Sequence, residues 1–478
     1  MSSTVKKIKA DLCIIGAGSG GLSAAAGAAQ LGLKVVLYEK HEMGGDCLNY
    51  GCVPSKALLS AAKAAAGVRE ARKYGIQTED PKTDWETVKA HVAGAIETIA
   101  PVDSQERFEG LGVTVIREAA RFENRKTIVS ETSRVEARRI IVATGSRAFI
   151  PPIEGLKEVP FLTNETVFTL PVLPDHLVIL GGGPIGLEMA QAFTRLGSKV
   201  TVIEMGRAMP RADAGHAAIA IKALREEGVT ILEQHKAQRV SQADNRIRVH
   251  TDHDGTALDI DGSHLLVATG RRAVLDGLDL EKGGVDFDQK GIKVGDTLRS
   301  HSNRRVWALG DAAGMEQFTH IAGWHASVFT RRALFKQGTK ASSLPVPAVT
   351  YTSPEVAQLG LTEAEARETF GGTVTTSAFP FHENDRAIAE GKTLGECKLV
   401  LNKGKLVGAS IVGEGAGDIL QLVSVAMSNG LKLTALTNFI SPYPTRAEVV
   451  KRAASAHFTP IVFSKNAQRL VGLLQRIP

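Results

Sequence analysis

The sequence predicts an α/β fold built around two Rossmann-like dinucleotide-binding domains. A strand, a glycine turn, a helix and a second strand occur twice, in "KADLCIIGAGSGGLSAAAGAAQLGLKVVLYEK" and in "PDHLVILGGGPIGLEMAQAFTRLGSKVTVIEMGRAMPR". Each copy opens on an apolar run typical of a buried parallel strand and ends its second strand in an acidic residue. Two complete units predict two bound dinucleotides. The alternative is a decayed second copy that only supports the structure, but its glycines and its acid are intact.

The first glycine turn has the residue types that a dinucleotide pyrophosphate requires. Gly16 allows the tight turn, Gly18 lets a phosphate approach the backbone, and Gly21 lets the helix pack closely on the strand. The Ala-rich segment that follows is expected to form a helix whose N-terminus faces the pyrophosphate. Glu39 ends the second strand eighteen residues after Gly21, where its carboxylate can accept hydrogen bonds from a ribose.

The second turn repeats this pattern at Gly181, Gly183 and Gly186. Glu204 follows Gly186 by eighteen residues, as Glu39 follows its own turn. A carboxylate here would repel the 2′-phosphate of NADPH, so the pattern favours NADH. Because Arg207 and Arg211 lie just downstream, NADPH remains an alternative.

Three further strands are expected to end at the nucleotide sites. "RRIIVATGSR" (138–147) and "HLLVATGRR" (264–272) both reach Ala-Thr-Gly, and each reads as a returning strand that closes its domain. "RRVWALGDAAG" (304–314) ends in Gly310-Asp311. An acid at a strand end points into the ligand crevice, where Asp311 could bind a hydroxylated linker such as ribityl. The alternative role for Asp311 is a helix N-cap, and the two roles are compatible.

The stretch "GGDCLNYGCVPSKALL" holds two of the four cysteines, Cys47 and Cys52. In a straight α-helix these positions would differ by about 140° and about 7.5 Å along the axis. Their Cα atoms would then lie roughly 8–9 Å apart, beyond the reach of a disulfide. Gly51 and Pro54 both favour a departure from helix. The residues therefore leave two interpretations open, a strained redox disulfide or two ordinary thiols near a turn.

Composition bounds the class of protein. The 478 residues predict about three or four domains, and 43% hydrophobic content is globular. The net charge of +6 comes without a basic block interleaved with aromatics, so no nucleic-acid partner is expected. Four cysteines, a short polar start and no apolar run of about 18 residues predict a cytoplasmic protein without a membrane span. The segment "FSKNAQRLVGLLQRIP" is weakly amphipathic; a helix packed on its own domain is expected, with contact to a membrane surface as the alternative.

The GGxCxxxxCxPxK pattern, together with two nucleotide turns, resembles the class I pyridine nucleotide–disulfide oxidoreductases, the group of lipoamide dehydrogenase, glutathione reductase and mercuric reductase. The resemblance covers nearly the whole chain, and "PAVTYTSPEVAQLGLTEAEA" resembles the start of the family's dimerisation domain. It implies a homodimer and a C-terminal α+β dimerisation domain. The implied layout is an FAD-binding domain over 1–155, an NAD(P)-binding domain over 156–273, a central FAD-domain return segment over 274–345 and the interface domain over 346–478.

The resemblance also implies the chemistry. FAD would bind the first unit and NAD(H), with NADP(H) not excluded, the second. Cys47 and Cys52 would form a redox disulfide, with Cys52 as the thiolate beside the flavin, giving a charge-transfer state, and Cys47 as the thiol that attacks the substrate. Lys56 and Glu188 match the family's ion pair near flavin N5, although Glu188 also reads as an ordinary helix residue. Electrons would pass from NADH through FAD and the disulfide to a disulfide, lipoyl or metal substrate.

One segment departs from the family pattern. Where many members carry His-Pro-Thr-x-x-Glu from the partner subunit, this chain has "SPYPTRAEVV", with Tyr443 in the histidine position and Glu448 retained. Tyrosine has an ordinary pKa of about 10, so it is a poor proton shuttle at neutral pH. Tyrosine here resembles mercuric reductases, yet the vicinal cysteine pair of those enzymes is absent from "GLLQRIP". Asp46 replaces the more usual threonine of GGTC.

The expected function is therefore that of an NADH-dependent disulfide reductase. The three alternatives are a dihydrolipoyl dehydrogenase that forms NADH, a mercuric-reductase-like metal reductase and a redox-sensing flavoprotein with little turnover. No resident metal is predicted. The catalytic candidates are Cys47, Cys52, Lys56, Glu188, Tyr443 and Glu448. The cofactor-binding candidates are Gly16, Gly18, Ser19, Gly21, Glu39, Lys40, Gly45, Asp46, Lys56, Ala143, Thr144, Gly145, Gly181, Gly183, Pro184, Ile185, Gly186, Glu204, Gly270, Gly310 and Asp311. Cys13 and Cys397 are expected to fill cores, and His320 and His325 to be satisfied helix residues.

Overall fold

The first α/β unit is built on a mainly parallel sheet in the computed structural model, which describes residues 5–477. Its strands are β1 (Lys6–Ile15), β2 (Val35–Tyr38), β3 (Thr114–Ile116), β4 (Arg121–Asn124), β5 (Thr127–Val129), β6 (Ser133–Val142) and β7 (Ser146–Ala148). Its helices are α1 (Ser19–Gln30), α2 (Gly45–Asn49), α3 (Cys52–Glu70), α4 (Trp85–Asp103) and α5 (Gln105–Gly110). The sheet order is β3-β2-β1-β6-β5-β4, with β1, β2, β3 and β6 parallel. This is the doubly wound arrangement that the first glycine turn predicts.

The second unit repeats the same plan on a smaller scale. Its helices are α6 (Pro184–Leu196) and α7 (Ala214–Glu226). Its strands are β8 (His176–Leu180), β9 (Lys199–Ile203), β10 (Thr230–Leu232), β11 (Lys236–Ala243), β12 (Arg246–His253), β13 (Thr256–Gly262), β14 (His264–Val267) and β15 (Arg271–Ala273). A parallel sheet of order β10-β9-β8-β14 forms the centre, and β11, β12 and β13 make an antiparallel meander beside it. Strand β15 crosses back to pair with β7 of the first unit.

The chain then returns to the first sheet. Strand β16 (Val306–Ala308) pairs in parallel with the end of β6, and helix α8 (Thr319–Phe329) packs against α1. Gly20 on α1 faces Ala322 on α8, where a Cβ would make an ordinary van der Waals contact with the Cβ of Ala322 at 3.4 Å. The return delivers Gly310-Asp311 and the start of α8 to the mouth of the first unit.

The C-terminal unit is an α+β domain, as the resemblance implies. Its strands are β17 (Pro347–Thr350), β18 (Glu355–Gly360), β19 (Val374–Pro380), β20 (Glu396–Asn402) and β21 (Lys405–Gly413). Its helices are α9 (Glu363–Phe370), α10 (Asp385–Ala389), α11 (Ala416–Ser428), α12 (Glu448–Val462) and α13 (Lys465–Leu474). The strands form one antiparallel sheet of order β17-β18-β21-β20-β19.

Two expectations about the remaining segments have opposite outcomes. Cys13 and Cys397 are completely buried in separate apolar cores, which confirms them as core residues. The expectation that the last helix packs on its own domain is wrong, because α13 has no buried residue. Within residues 5–477, no helix combines the length and the apolar content that a membrane crossing requires.

Replacing Gly186 by alanine should destabilise the second unit. The added Cβ would lie 2.0 Å from the carbonyl oxygen of Gly181, which is backbone and cannot move aside. We expect a loss of about 1–3 kcal/mol, measured as the free energy of unfolding in urea. Gly183→Ala is the matched control, because nothing lies within 4 Å of its Cβ position. Equal stability of the two variants would contradict the steric explanation.

Candidate active site

The two glycine turns have the same backbone geometry. Gly16 has a φ of +105°, and a Cβ there would lie 2.4 Å from the carbonyl oxygen of Ala143. Gly181 has a φ of +111°, and its Cβ would lie 2.4 Å from the carbonyl oxygen of Ala268. In each unit the turn therefore presses against the end of the returning strand, and only glycine fits.

The third glycine of each turn also faces backbone. A Cβ on Gly21 would stand 1.9 Å from the carbonyl oxygen of Gly16, so helix α1 can approach β1 only at a glycine. The middle glycines differ, since Gly18 has no neighbour closer than 3.9 Å and Gly183 has none within 4 Å. The middle position of the second turn is thus open, whereas the atom nearest to the Cβ position of Gly18 is the Cα of Gly45.

Each acidic strand end is tied to its own turn. Glu39 accepts a hydrogen bond from the backbone N–H of Ala17 at 2.7 Å, and Glu204 accepts one from Gly182 at 2.7 Å. Helices α1 and α6 begin after Gly18 and Gly183 without a side-chain cap. Their first N–H groups are therefore available to an anion, the usual arrangement for a pyrophosphate.

The remaining cofactor candidates lie around the two glycine turns and the strand ends beside them. Gly45 lies directly over Gly18, where its Cβ would be 2.8 Å from the Gly18 Cα. Thr144 donates to the carbonyl of Val274 at 2.6 Å. Gly145, Gly270 and Gly310 all have positive φ. Ser19 and Pro184 are the first residues of α1 and α6, and Lys40 and Ile185 are exposed.

Asp311 lies in the short 3₁₀ turn (Gly310–Ala313) that follows β16. Ser146 Oγ donates a hydrogen bond to it, and burial raises the pKa of the carboxyl. The alternative role as a helix N-cap is wrong, because Leu309 precedes the short 3₁₀ turn and Phe318 precedes α8. A carboxylate left at such a place is free to accept hydrogen bonds from a hydroxylated ligand.

The two cysteines meet because the chain breaks between two helices. Cys47 lies in α2, which ends at Asn49, and Cys52 is the first residue of α3. Gly51 makes the break possible, since a Cβ there would come within 3.3 Å of the Cys47 Cα. Both cysteines are free thiols in this structure, and each thiol has the largest influence on the pKa of the other.

The surroundings of the two thiols shift their pKa values in opposite directions. The hydrogen bond from Cys47 is the largest of the effects that lower the pKa of Cys52 to about 6. Thr319 Oγ1 lies 3.4 Å from the Cys52 sulfur and, with the charge of Lys56, lowers this pKa further. The same hydrogen bond, followed by burial, raises the pKa of Cys47. The geometry thus favours a thiolate on Cys52 and a protonated Cys47.

Lys56 and Glu188 form an ion pair between the first two units. The Lys56 Nζ lies 2.8 Å from Glu188 Oε2, and the Glu188 side chain is only 6% exposed. The other carboxylate oxygen accepts the backbone N–H of Tyr351 at 3.0 Å, and the ammonium lies 4.4 Å from the centre of that tyrosine ring. Glu188 is therefore a buried, doubly bonded carboxylate on α6 rather than a solvent-facing helix residue.

Asp46 belongs to a polar network that the sequence analysis did not explain. Its Oδ1 accepts from Asn164 Nδ2 at 2.8 Å and lies 3.0 Å from the Arg271 guanidinium. Arg271 also donates to Ser146 Oγ at 2.7 Å, and this hydroxyl reaches Asp311. A chain of hydrogen bonds therefore joins the residue before Cys47 to the carboxylate in the FAD-unit crevice.

Tyr443 and Glu448 lie apart from this cluster within one chain. The Tyr443 side chain is 70% exposed and its hydroxyl donates to Asp385 Oδ2 at 2.9 Å. This hydrogen bond is the main reason why the pKa of Tyr443 is raised. Glu448 accepts instead from Arg452 at 3.2 Å.

The two histidines of α8 are satisfied, as expected. His325 is buried and its Nδ1 accepts the backbone N–H of Gly310 at 3.1 Å. His320 Nε2 lies 2.9 Å from the carbonyl oxygen of Pro347. Burial lowers the pKa of both imidazoles, so neither supplies a charge near Cys52 at neutral pH.

Sequence comparison identifies the family. Residues 10–328 match the pyridine nucleotide-disulphide oxidoreductase family, and residues 346–454 match the dimerisation domain of the same family. The chain belongs to this family. Its members use FAD and NAD(P)H and act on sulfur groups, and the dimerisation domain supports a homodimer.

Relatives of several activities cover the chain almost completely. A mercuric reductase of Streptomyces lividans is 36% identical over 93% of this chain and 95% of its own length. A dihydrolipoyl dehydrogenase of Thermus scotoductus is 34% identical over 93% of this chain and 97% of its own length. The Cu(II) complex of the HOCl-induced flavoprotein disulfide reductase RclA from Escherichia coli superposes with a TM-score of 0.83, at 27% identity, over 93% of this chain and 99% of that one. The fold class and the family membership expected from the sequence are confirmed.

Removing the Cys47 thiol should raise the pKa of Cys52, because the largest effect that lowers it is the hydrogen bond from Cys47. In the reduced protein we expect Cys52 to be alkylated by iodoacetamide with a rate that rises through a pH near 6. In Cys47→Ala the midpoint should move upward by at least about one pH unit, towards the ordinary thiol value of about 8.5. Peptide mapping by mass spectrometry identifies the modified residue, and buried Cys13 and Cys397 are internal controls. An unchanged midpoint would contradict the assigned cause.

Proposed function

We propose that the protein is an NADH-dependent flavoprotein reductase that transfers electrons through Cys47 and Cys52 to a low-molecular-weight disulfide. The observation that carries this proposal is the pair of thiols on the two sides of one helix break, with the lowered pKa on Cys52. A stable thiolate beside a protonated thiol is the arrangement that dithiol–disulfide exchange needs. Lys56 adds positive charge near Cys52 and supports the same ionisation.

The first unit fits FAD. The turn from Gly16 to Gly18 and the uncapped start of α1 would take its pyrophosphate, Glu39 its adenosine ribose and Asp311 its ribityl hydroxyls. Bound FAD would accept a hydride from NADH and supply two electrons to the Cys47–Cys52 disulfide. Lys56 would contribute a positive charge to this site, since its ammonium is held by Glu188.

The second unit supports NADH in preference to NADPH. Glu204 is held at the strand end by the N–H groups of Gly182 and Gly206, so its charge lies where a 2′-phosphate would have to bind. Arg207 is turned away, with its guanidinium donating to the carbonyls of Pro210 and Ala212 at 3.1 and 3.3 Å. Arg207 therefore does not neutralise the charge of the Glu204 carboxylate.

Thiol exchange can proceed with the single proton that the two cysteines share. The Cys52 thiolate takes the proton of Cys47, and the Cys47 thiolate attacks one sulfur of the external disulfide, which forms a mixed disulfide and displaces the first substrate thiolate. That thiolate takes the proton from Cys52, and the Cys52 thiolate then attacks the Cys47 sulfur, which forms the internal disulfide and displaces the second substrate thiolate. Two electrons leave the enzyme dithiol, and the second substrate thiolate takes its proton from solvent.

Tyr443 disfavours the oxidative direction. Its raised pKa keeps the hydroxyl protonated at neutral pH, so it cannot serve as the base that dihydrolipoamide oxidation requires. Because Tyr443 lies apart from Cys47 in its own chain, the homodimer would bring it to the thiols of the other subunit. Glu448 would lie beside it on α12.

Metal-ion reduction is a second candidate. Mercuric reductases are among the relatives of this chain, and one similar structure is a Cu(II) complex. Two thiols in contact are good ligands for soft metal ions. Among the described residues, however, no group of three or more Cys, His, Asp or Glu side chains could hold a metal ion, so any metal substrate would depend on Cys47, Cys52 and groups from a partner subunit.

A substrate screen of the FAD-loaded protein tests the proposal. Anaerobic NADH should generate two additional free thiols per chain, and turnover should be fastest with small disulfides when lipoamide, glutathione disulfide and Hg(II) are compared. Failure to form thiols would support a redox sensor with little turnover, while turnover confined to Hg(II) would support the metal reductase. Cys47→Ser and Cys52→Ser are controls that should abolish thiol formation.

We place the enzyme in the cytoplasm, where the reducing environment keeps such thiols active.

Tyr443→His should increase dihydrolipoamide oxidation, because imidazole has a pKa near 6.5 and can accept a proton at neutral pH. We expect a gain of about 10²-fold or more in kcat at pH 7, the usual contribution of a general base. Tyr443→Phe is the matched control and should show no gain in this direction. If the histidine variant is no faster than the phenylalanine variant, the missing base is not what limits the reaction.

A further inference from the structure

Helix α13 presents an apolar stripe that no part of the described chain covers. Ala467, Leu470, Val471 and Leu474 follow the i, i+3, i+4, i+7 spacing of one helix face. The last three are 56%, 54% and 50% exposed. The segment just before the helix is equally uncovered, at Ile461, Val462 and Phe463, which are 61%, 58% and 70% exposed.

The opposite side of α13 is basic. At about 100° per residue, Lys465 and Arg469 lie across the helix from the apolar stripe, and Arg476 follows on the same side. From residue 449 to residue 478 the sequence contains no Asp or Glu. An apolar face, a cationic face and a complete lack of acids together fit an anionic, partly apolar surface.

The length of the helix indicates that something must cover it. Its 10 residues fall short of the roughly 12–15 that an isolated helix needs in water. The cap at Ser464, which accepts from Ala467 N–H at 3.2 Å, supports only the first turn. Stability of α13 therefore depends on burial of its apolar face outside the chain.

We propose that α13 and residues 461–463 dock on the surface of a bilayer that contains anionic phospholipids. The helix would lie in the plane of the interface, with Leu470, Val471 and Leu474 at the acyl boundary. Lys465, Arg469 and Arg476 would face the phosphate groups and the water above them. This is peripheral binding, and it is independent of the electron acceptor proposed above.

A second copy of the chain is the main competing occupant. The matched dimerisation domain ends at residue 454, before α13 begins. A contact between two α13 helices across a two-fold axis would also bring identical cations together without an acid between them. Charge complementarity thus favours the lipid surface.

Co-sedimentation of the full-length, FAD-loaded protein with vesicles tests this proposal. The protein should pellet with vesicles of phosphatidylcholine and phosphatidylglycerol, bind more weakly to phosphatidylcholine alone, and lose affinity as salt is raised. In Leu470→Gln/Leu474→Gln the partition constant should fall by at least about 10²-fold, because two apolar side chains are removed. Arg469→Gln should lower it about fivefold, and only on the anionic vesicles.

Leu258→Gln is the matched control, since Leu258 lies on β13 in the second unit and is 40% exposed. It should bind vesicles as the unmodified protein does. Sedimentation equilibrium without lipid separates the two occupants: the Leu470→Gln/Leu474→Gln variant should remain a dimer. Dissociation into monomers would assign the stripe to a second copy and overturn the proposal. So would an unmodified protein that fails to pellet with anionic vesicles at low salt.

Discussion

The buried carboxylate of Glu188 is the point at which three parts of the chain meet. It lies on α6, directly after the second glycine turn, and holds Lys56 of α3 by one oxygen and the backbone of Tyr351, just after β17, by the other. A carboxylate that is 6% exposed on its side chain is stable only with such partners, because an unpaired buried charge costs several kcal/mol. The relative placement of the two nucleotide units and the C-terminal domain is therefore coupled to one ion pair.

That ion pair also determines where the reactive sulfur lies. Cys52 precedes Lys56 by four residues, one turn of α3, so fixing the lysine fixes the start of the helix. Thr319, at the start of α8, then comes within 3.4 Å of the sulfur from the returning segment. The lowered pKa of Cys52 is thus a property of three segments brought together, with Cys47 as the largest contributor and Thr319 and Lys56 in support.

The two nucleotide units have the same backbone contact between the glycine turn and the returning strand. In each, a glycine with positive φ fits under the carbonyl of the returning strand, and an acid from the next strand binds the N–H that follows. The units differ in what surrounds the turn. Only the first has a cysteine helix packed over its middle glycine, where Gly45 approaches Gly18. Duplication of a binding turn and specialisation of its surroundings together produce a site for electron transfer between two cofactors.

The sequence by itself determined the doubly wound units and the family. Glycine spacing and strand-end acids are local signals, because the phosphate-binding turn requires them within a few residues of one another. The need for a helix break between Cys47 and Cys52 could likewise be read from helix geometry, and the structure has that break at Gly51. The same local reading failed for α13, whose amphipathic pattern indicates a helix but not which surface covers it.

Only the tertiary structure decided the partners of those groups. Thr319 stands 267 residues from Cys52, and Tyr351 stands 163 residues from Glu188, so no pattern within one segment could pair them. Asp46 was unexplained in the sequence for the same reason, because its partners come from distant parts of the chain, Asn164 from a loop and Arg271 from β15. Proton affinities depend on distances of a few ångströms between side chains. Such distances are set when the domains pack together, and the pattern of residues along the chain does not contain them.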